Sequence, residues 1–247
     1  MSTKKLSVQV INLNTIAYTR DCIFDLLDQS YNDFDIYLVD QHSQEPATES
    51  FLRLFEEMGV KVIRNPKQVT LNQQWNNFKN TCQSEYLCFL NNDIRLSKKF
   101  IEDTIDVFNM EPNVGMVIHI TNNPEYIKTK DKLVYSILRP PYFQGWDVTI
   151  KRELIPEIPA QLKIFGGDDY VAARIVNAGY DIALVYSSPI IHYSQRSRVK
   201  IPDIEEVHQK DSDIFYQILK DEGLKYVESI ISTGHCKTLP QPGMEII

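Results

Sequence analysis

The chain has 247 residues, which suits one large domain or two small ones, and this length buries enough apolar surface to fold without disulfides or a structural metal. Its 43% hydrophobic and 24% charged residues exclude disorder, collagen and a coiled coil as the main architecture. With 26 Lys and Arg against 33 Asp and Glu, the net charge of −7 argues against coating nucleic acid through bulk positive charge, though a local basic groove stays open.

Residues 6–13 alternate with β-branched side chains and predict a first strand. Apolar positions at helical spacing predict a helix over 19–29. A strand over 35–40 ends on Asp40, before the polar turn QHSQEPAT. A helix over 49–58 stops at Gly59, and 60–64 reads as the third strand. A helix over 71–81 and a strand over 86–90 lead into Asn91-Asn92-Asp93. The second half is less regular: a helix over 98–109, a strand over 114–120, an exposed loop over 122–132 and a break at Arg139-Pro140-Pro141. An alternating segment follows at 144–152, then a helix opened by Gly166-Gly167-Asp168-Asp169 and capped by Gly179. Two short strands, 182–186 and 189–192, precede a helical appendage after Ile201 and a loose tail from Gly234.

The opening MSTKKLSVQVINLNT lacks the apolar run of a signal peptide, and no stretch approaches the length of a membrane helix. A soluble, cytoplasmic protein is expected. The scattered Cys22, Cys82, Cys88 and Cys236 agree, reading as free thiols rather than a zinc ribbon or disulfide framework.

The first half is β-α-β-α-β-α-β with strands apolar on both faces, the pattern of a parallel sheet covered by helices. Right-handed crossovers align the strand C-termini on one edge, where open α/β sheets bind ligands. Asn14, Asp40, Arg64 and the Asn91–Asp93 cluster should converge there.

Four constellations have chemical potential. The carboxylate of Asp93 can hold a hard divalent cation beside the amides of Asn91 and Asn92; the alternative is an Asx turn. Asp40 can accept hydrogen bonds from a base or ribose, or simply cap the next turn. Asp168 and Asp169 open a helix after two glycines, so one can cap it while the other takes a proton from a hydroxyl; the alternative is a capped helix with a surface acid. His192 ends an apolar strand and can ligate Mn²⁺. The run through Ser194, Arg196, Ser197, Arg198 and Lys200 can meet a diphosphate or be a solvated face. Trp75 reads as packing. The other histidines, His42, His119, His208 and His235, show no zinc spacing.

In order, these segments resemble glycosyltransferase family 2. Asn12-Leu13-Asn14 followed by CIFDLLDQSY is similar to the family's opening turn and helix, and DFDIYLVDQHS to its second strand. WNNFKNTCQSEYLCFLNNDI resembles the approach to its DXD motif, and IFGGDDYVAARIVNAGYDI its acidic motif and following helix. The likeness covers residues 5–198. It departs from the family in having one acid in the DXD triad, Asp168 where Glu is usual, and no Pro-Thr opening.

The resemblance implies a GT-A fold, an α/β architecture with a mostly parallel mixed sheet. Residues 1–200 would be catalytic, with a nucleotide-sugar half (1–95) and an acceptor half (96–200), followed by an appendage over 201–247. It implies metal-dependent, inverting transfer from a nucleotide-diphosphate sugar, UDP-linked, to an acceptor hydroxyl. Asp40 would meet the base, and Asn14, Arg64, Asn91, Asn92 and Arg196 would belong to the donor site. Asp93 and His192 would bind Mn²⁺ or Mg²⁺. Asp169 would be the base, beside Asp168. Gln144-Gly145-Trp146 would lie between donor and acceptor, with Trp146 a stacking platform.

Three other readings stay open. One is the same chemistry on a hydroxymethylated DNA base, with Lys98, Lys99, Lys151, Arg152, Arg196, Arg198 and Lys200 lining a groove. The others are a nucleotidyltransferase, whose Gly-rich phosphate loop is missing, and a non-catalytic sugar-nucleotide-binding module.

Overall fold

In the computed structural model, the described residues are 4–121, 132–138, 141–193 and 203–229. The elements run β1 (Leu6–Asn12), α1 (Ile16–Leu27), β2 (Phe34–Asp40), α2 (Thr48–Glu57), β3 (Lys61–Arg64), α3 (Leu71–Thr81), β4 (Tyr86–Leu90), β5 (Ile94–Arg95), α4 (Phe100–Met110), β6 (Val114–Thr121), β7 (Tyr135–Ile137), β8 (Tyr142–Phe143), β9 (Asp147–Lys151), α5 (Gly167–Asn177), β10 (Asp181–His192), α6 (Ile204–Glu222) and β11 (Glu228–Ser229).

Alternation along the strands sorts side chains onto two faces. In β4, Tyr86, Cys88 and Leu90 enter one core with residues of α1, α2 and α4, while Leu87 and Phe89 enter the other with residues of α3, α5 and α6. Trp75 stacks on Phe89 with ring centroids 4.0 Å apart, so it is packing, as its helical position suggested. Fully burying a side chain such as Phe55, Phe89 or Phe100 stabilises by roughly 1.5–3 kcal/mol over leaving it exposed. Phe215 and Leu219 of α6 and Val227 beyond it belong to the second of these cores.

The main sheet has nine strands in the order β3-β2-β1-β4-β9-β6-β10-β5, with β7 also paired to β10. The β3-β2-β1-β4 half is parallel, as expected. β9 then runs antiparallel between β4 and β6, making the sheet mixed.

The structure departs from the sequence pattern at several elements. α1 begins at Ile16, because Glu45 Oε2 accepts the Ile16 amide at 2.8 Å and satisfies a free donor at the helix start. The two short strands expected over 182–186 and 189–192 are one strand, β10, whose register against β6 shifts between Val185 and Ile190. That irregularity accommodates Pro189, which has no amide for a regular ladder. Residues 144–146 form a turn, not strand. The strands β5, β7, β8 and β11, each two or three residues long, are too short to carry a readable period. Most of the loop expected over 122–132, Arg139-Pro140, the run 194–200 and the tail from Gly234 lie outside the described residues. Cys22, Cys82 and Cys88 are free and buried; Cys236 lies outside the described residues. Among the described residues no helix is long and apolar enough to cross a membrane.

Candidate active site

Strand register builds the first wall of the crevice. Asn12 is level with Asp40, and Asp40 with Arg64, so three polar residues end adjacent strands in one row. Asn92 Nδ2 donates to Thr15 Oγ1 and Thr19 Oγ1, both at 2.7 Å. Thr19 Oγ1 donates to Asn12 Oδ1 at 2.8 Å, and Asn12 Nδ2 to Asp40 Oδ1 at 2.8 Å. A buried hydrogen-bond chain therefore links the ends of β4, β1 and β2.

This chain divides the expected residues. Asn92 spends its amide on the two threonines and serves as a brace, whereas Asn91 is exposed. Asp40 is 5% exposed, and its second oxygen accepts the Ser43 amide at 3.0 Å. It caps the turn, and each carboxylate oxygen retains a lone pair for a ligand. Asn14 has φ 51° and accepts the Gln44 amide at 2.7 Å, bracing the same turn. Arg64 ends β3, but its guanidinium turns to α2, donating to Glu56 at 2.6 Å and Glu49 at 3.2 Å. These carboxylates hold the guanidinium at the outer edge of the row.

The second wall comes from β5, β9 and β10. β5 pairs antiparallel with the end of β10, opposing Ile94 to His192. That pairing sets His192 Nε2 at 3.1 Å from Asp93 Oδ1, with Asn91 Nδ2 at 3.5 Å from the same nitrogen. Asp93 is 3% exposed. A carboxylate and an imidazole this close suit one divalent cation that fills its other positions with phosphate oxygens and water. Among the described residues no three His, Cys, Asp or Glu side chains gather into a full cage.

The Gln144-Gly145-Trp146 turn joins this wall. The Asn91 amide donates to the Trp146 carbonyl at 2.9 Å, and the Trp146 ring stacks on His192 with centroids 5.0 Å apart. Trp146 Nε1 donates to Thr121 Oγ1 at 2.9 Å. Behind it lies a buried polar group centred on Asp147, which no sequence motif marks. Gln144 donates to Asp147 and to the His119 carbonyl, and Asp147 Oδ2 accepts the His119 amide at 2.8 Å. Burial pushes the Asp147 carboxyl up despite these bonds.

Asp168 and Asp169 complete the site from the first turn of α5, reached through Gly166 in the left-handed region at φ 72°. The Asp168 carboxylate lies against the Gly145 backbone so closely that a Cβ there would overlap Oδ2. Likewise a Cβ on Gly167 would overlap Asn72 Oδ1. Burial raises the Asp168 carboxyl, and burial together with the Asp168 charge pushes Asp169 up to about 8. The two acids share a hydrogen bond, so near neutral pH the pair tends to retain a proton.

The structure thus brings Asn91, Asp93, His192, Trp146, Asp168 and, through Asp168, Asp169 into one linked arrangement. Arg196 lies outside the described residues. Of the other basic residues invoked for a DNA groove, Arg198 and Lys200 also lie outside the described residues, and Lys98, Lys151 and Arg152 do not gather here. Lys98 pairs with Asp28 beyond the C-terminal end of α1, and Lys151 opposes Tyr86 at the start of β4, away from the crevice. Arg152 adjoins Lys151.

The glycosyl transferase family 2 profile matches residues 7–160, well over half of the chain, and the chain belongs to that family. Its fold is the GT-A fold. Residues 1–349 of S. aureus TarS align with TM-score 0.61 and 14% identity over 76% of this chain and 60% of that one. GalNAc-T7 with UDP, GalNAc and Mn²⁺ aligns with TM-score 0.62 and 15% identity over 77% and 44%. The mannosyltransferase PcManGT from Pyrobaculum calidifontis, with GDP-Man and Mn²⁺, aligns with TM-score 0.63 and 17% identity over 79% and 59%. The chain spans less than two thirds of each of these chains, and at such identities the likeness is one of fold. No curated sequence matches the chain.

Proposed function

We propose that the protein transfers a sugar from a nucleoside diphosphate sugar, UDP-linked, to an acceptor hydroxyl with inversion at the anomeric carbon. The observation that carries this reading is the meeting of a raised-pKa carboxylate pair, Asp168 and Asp169, with the Asp93–His192 pair across the Gly145-Trp146 turn. The family match and the similar folds solved with UDP or GDP-Man support it.

On this reading Asp40 and Asn14 line the base and ribose end, with Arg64 at its outer edge. Asn91 and Arg196 meet the diphosphate. Asp93 and His192 hold Mn²⁺ or Mg²⁺, which when bound neutralises charge developing on the leaving diphosphate. Trp146 carries His192 on one face and offers the other to the sugar ring. Asp169, deprotonated, takes the acceptor proton as the hydroxyl attacks from the face opposite the diphosphate. Asp168 holds the partner's pKa high enough for that task. The buried free thiols suit a reducing compartment, and we place the activity in the cytoplasm.

The test is a thermal-shift panel of nucleoside diphosphates with and without Mn²⁺, followed by turnover of the matching sugar nucleotides. One nucleotide should stabilise only with metal, and its sugar conjugate should be consumed. Absence of any shift at saturation removes the donor site. Binding without turnover on any acceptor leaves a sugar-nucleotide-binding module.

Gly145 gives a second prediction. In Gly145→Ala the added methyl must displace Asp168, and overpacking of this kind costs about 1–3 kcal/mol. The expected result is a turnover loss of tenfold or more with nucleotide binding within about threefold of wild type, about 0.7 kcal/mol. Equal turnover in both proteins would remove Asp168 from the reaction.

A further inference from the structure

We infer that Asp211, on the C-terminal helix α6, is the positioning residue of the catalytic-base loop. This rests on the reading of Asp169 as base.

Residues 163–165 enter the Gly166-Gly167 turn with no strand or helix of their own to satisfy their backbone. Their amides are collected by one side chain. Asp211 is 1% exposed, and its Oδ2 accepts the amides of Ile164 at 2.8 Å and Phe165 at 2.9 Å. Both of its oxygens lie 3.2 Å from the Lys163 amide. A carboxylate accepting three backbone N–H groups makes charge-assisted bonds stronger than neutral ones. Two carbonyls of the same segment are held by α3. The Asn72 amide donates to the Lys163 carbonyl at 3.3 Å, and Asn72 Nδ2 donates to that of Phe165 at 3.3 Å.

The rest of α6 extends the grip at helical spacing. His208 meets the Phe165 ring edge-on at 4.6 Å. Phe215, one turn beyond Asp211, packs its Cβ against Gly166, where an added methyl would lie 3.2 Å away. Glu222 accepts from the Tyr170 hydroxyl at 3.2 Å and from Arg174 at 2.8 Å, fixing the first two turns of α5. The stripe of 208, 211, 215 and 222 therefore clamps the loop that delivers Asp168 and Asp169. It touches none of the residues assigned to the nucleotide or metal. Loss of the clamp should alter the base and leave donor binding intact, whereas a merely structural role would weaken both together.

The experiment compares wild type, Asp211→Ala, Asp211→Asn and Asp169→Asn. It reads Mn²⁺-dependent stabilisation by UDP and by GDP, release of nucleoside diphosphate from the matching sugar nucleotide across pH, and melting temperature across pH. Asp211→Ala is expected to bind the nucleotide within threefold of wild type and to lose tenfold or more in kcat. The rising limb of its pH–rate profile should move toward lower pH, because a loosened loop admits water to the acids. The fall of melting temperature between pH 5 and 8 should flatten in parallel, a readout that needs no turnover. Asp211→Asn, which keeps one acceptor oxygen of the same shape, should recover part of both. If Asp211→Ala does not fold, the asparagine variant is judged on the same two pH readouts. The inference is overturned if Asp169→Asn is inactive while the Asp211 variants keep wild-type kcat and pH limbs, or if nucleotide binding falls in step with kcat. Full activity in Asp169→Asn overturns the base assignment itself, whatever the Asp211 variants do.

Discussion

Asp169→Asn is expected to lower turnover by about 10²–10⁴-fold, the usual contribution of a positioned general base, with donor binding little changed. The same substitution is expected to make the protein more stable. Burial and the Asp168 charge push Asp169 up to about 8, far above an unfolded carboxyl near 4. Between these values the native state holds a proton that the unfolded chain has released. The unfolded state then binds fewer protons, so stability falls as pH rises through the window. The asparagine cannot ionise and escapes that fall. Each 1 kcal/mol relieved raises the melting temperature by about 2–4 °C for a chain of this size. The variant should melt several degrees above wild type at pH 8 and closer to it at pH 5. Wild-type turnover should rise with pH from 6 to 8 as the base ionises, and the residual rate of the variant should lack that limb. An unchanged rate, or a lower melting point at pH 8, contradicts the assignment.

The same pair shows what a sequence makes legible. Gly166-Gly167-Asp168-Asp169 announces a sharp turn into a helix N-terminus, and strand periodicity places Asp40, Arg64 and Asn91–Asp93 on one edge, because parallel crossovers leave little choice. The register of β1, β2 and β3 agrees residue for residue. Side-chain direction is a different matter. That Asn92 braces the threonines while Asn91 faces His192, or that Arg64 turns to Glu49 and Glu56, depends on contacts between residues far apart in the chain. The Asp93–His192 pairing depends on β5, two residues long and without a period to read. Asp211 did leave a trace: it shares one helical stripe with Phe215 and Leu219, and an acid on an apolar stripe needs a buried partner. The partner is backbone, which no residue pattern encodes.

Asp93→Ala is expected to abolish metal-dependent donor binding without unfolding the protein. The β5–β10 junction survives because it is made by backbone: the Tyr193 amide donates to the Asp93 carbonyl at 2.9 Å, which any residue supplies. What disappears is the carboxylate that sets the His192 imidazole, 3.1 Å away. In wild type with Mn²⁺, UDP at 100 times its Kd should stabilise by about 2.7 kcal/mol. For this chain length that is an upward shift of about 5–10 °C. Asp93→Ala should show little of it at the same concentrations. His192→Ala should recover it at higher Mn²⁺, since Asp93 remains to bind the ion. The ordering matters more than either value, because a carboxylate carries the formal charge that attracts a hard cation and the imidazole does not. A UDP shift of equal size with and without Mn²⁺, unchanged in Asp93→Ala, would place the diphosphate away from the end of β4 and remove Asp93 and His192 from the donor site.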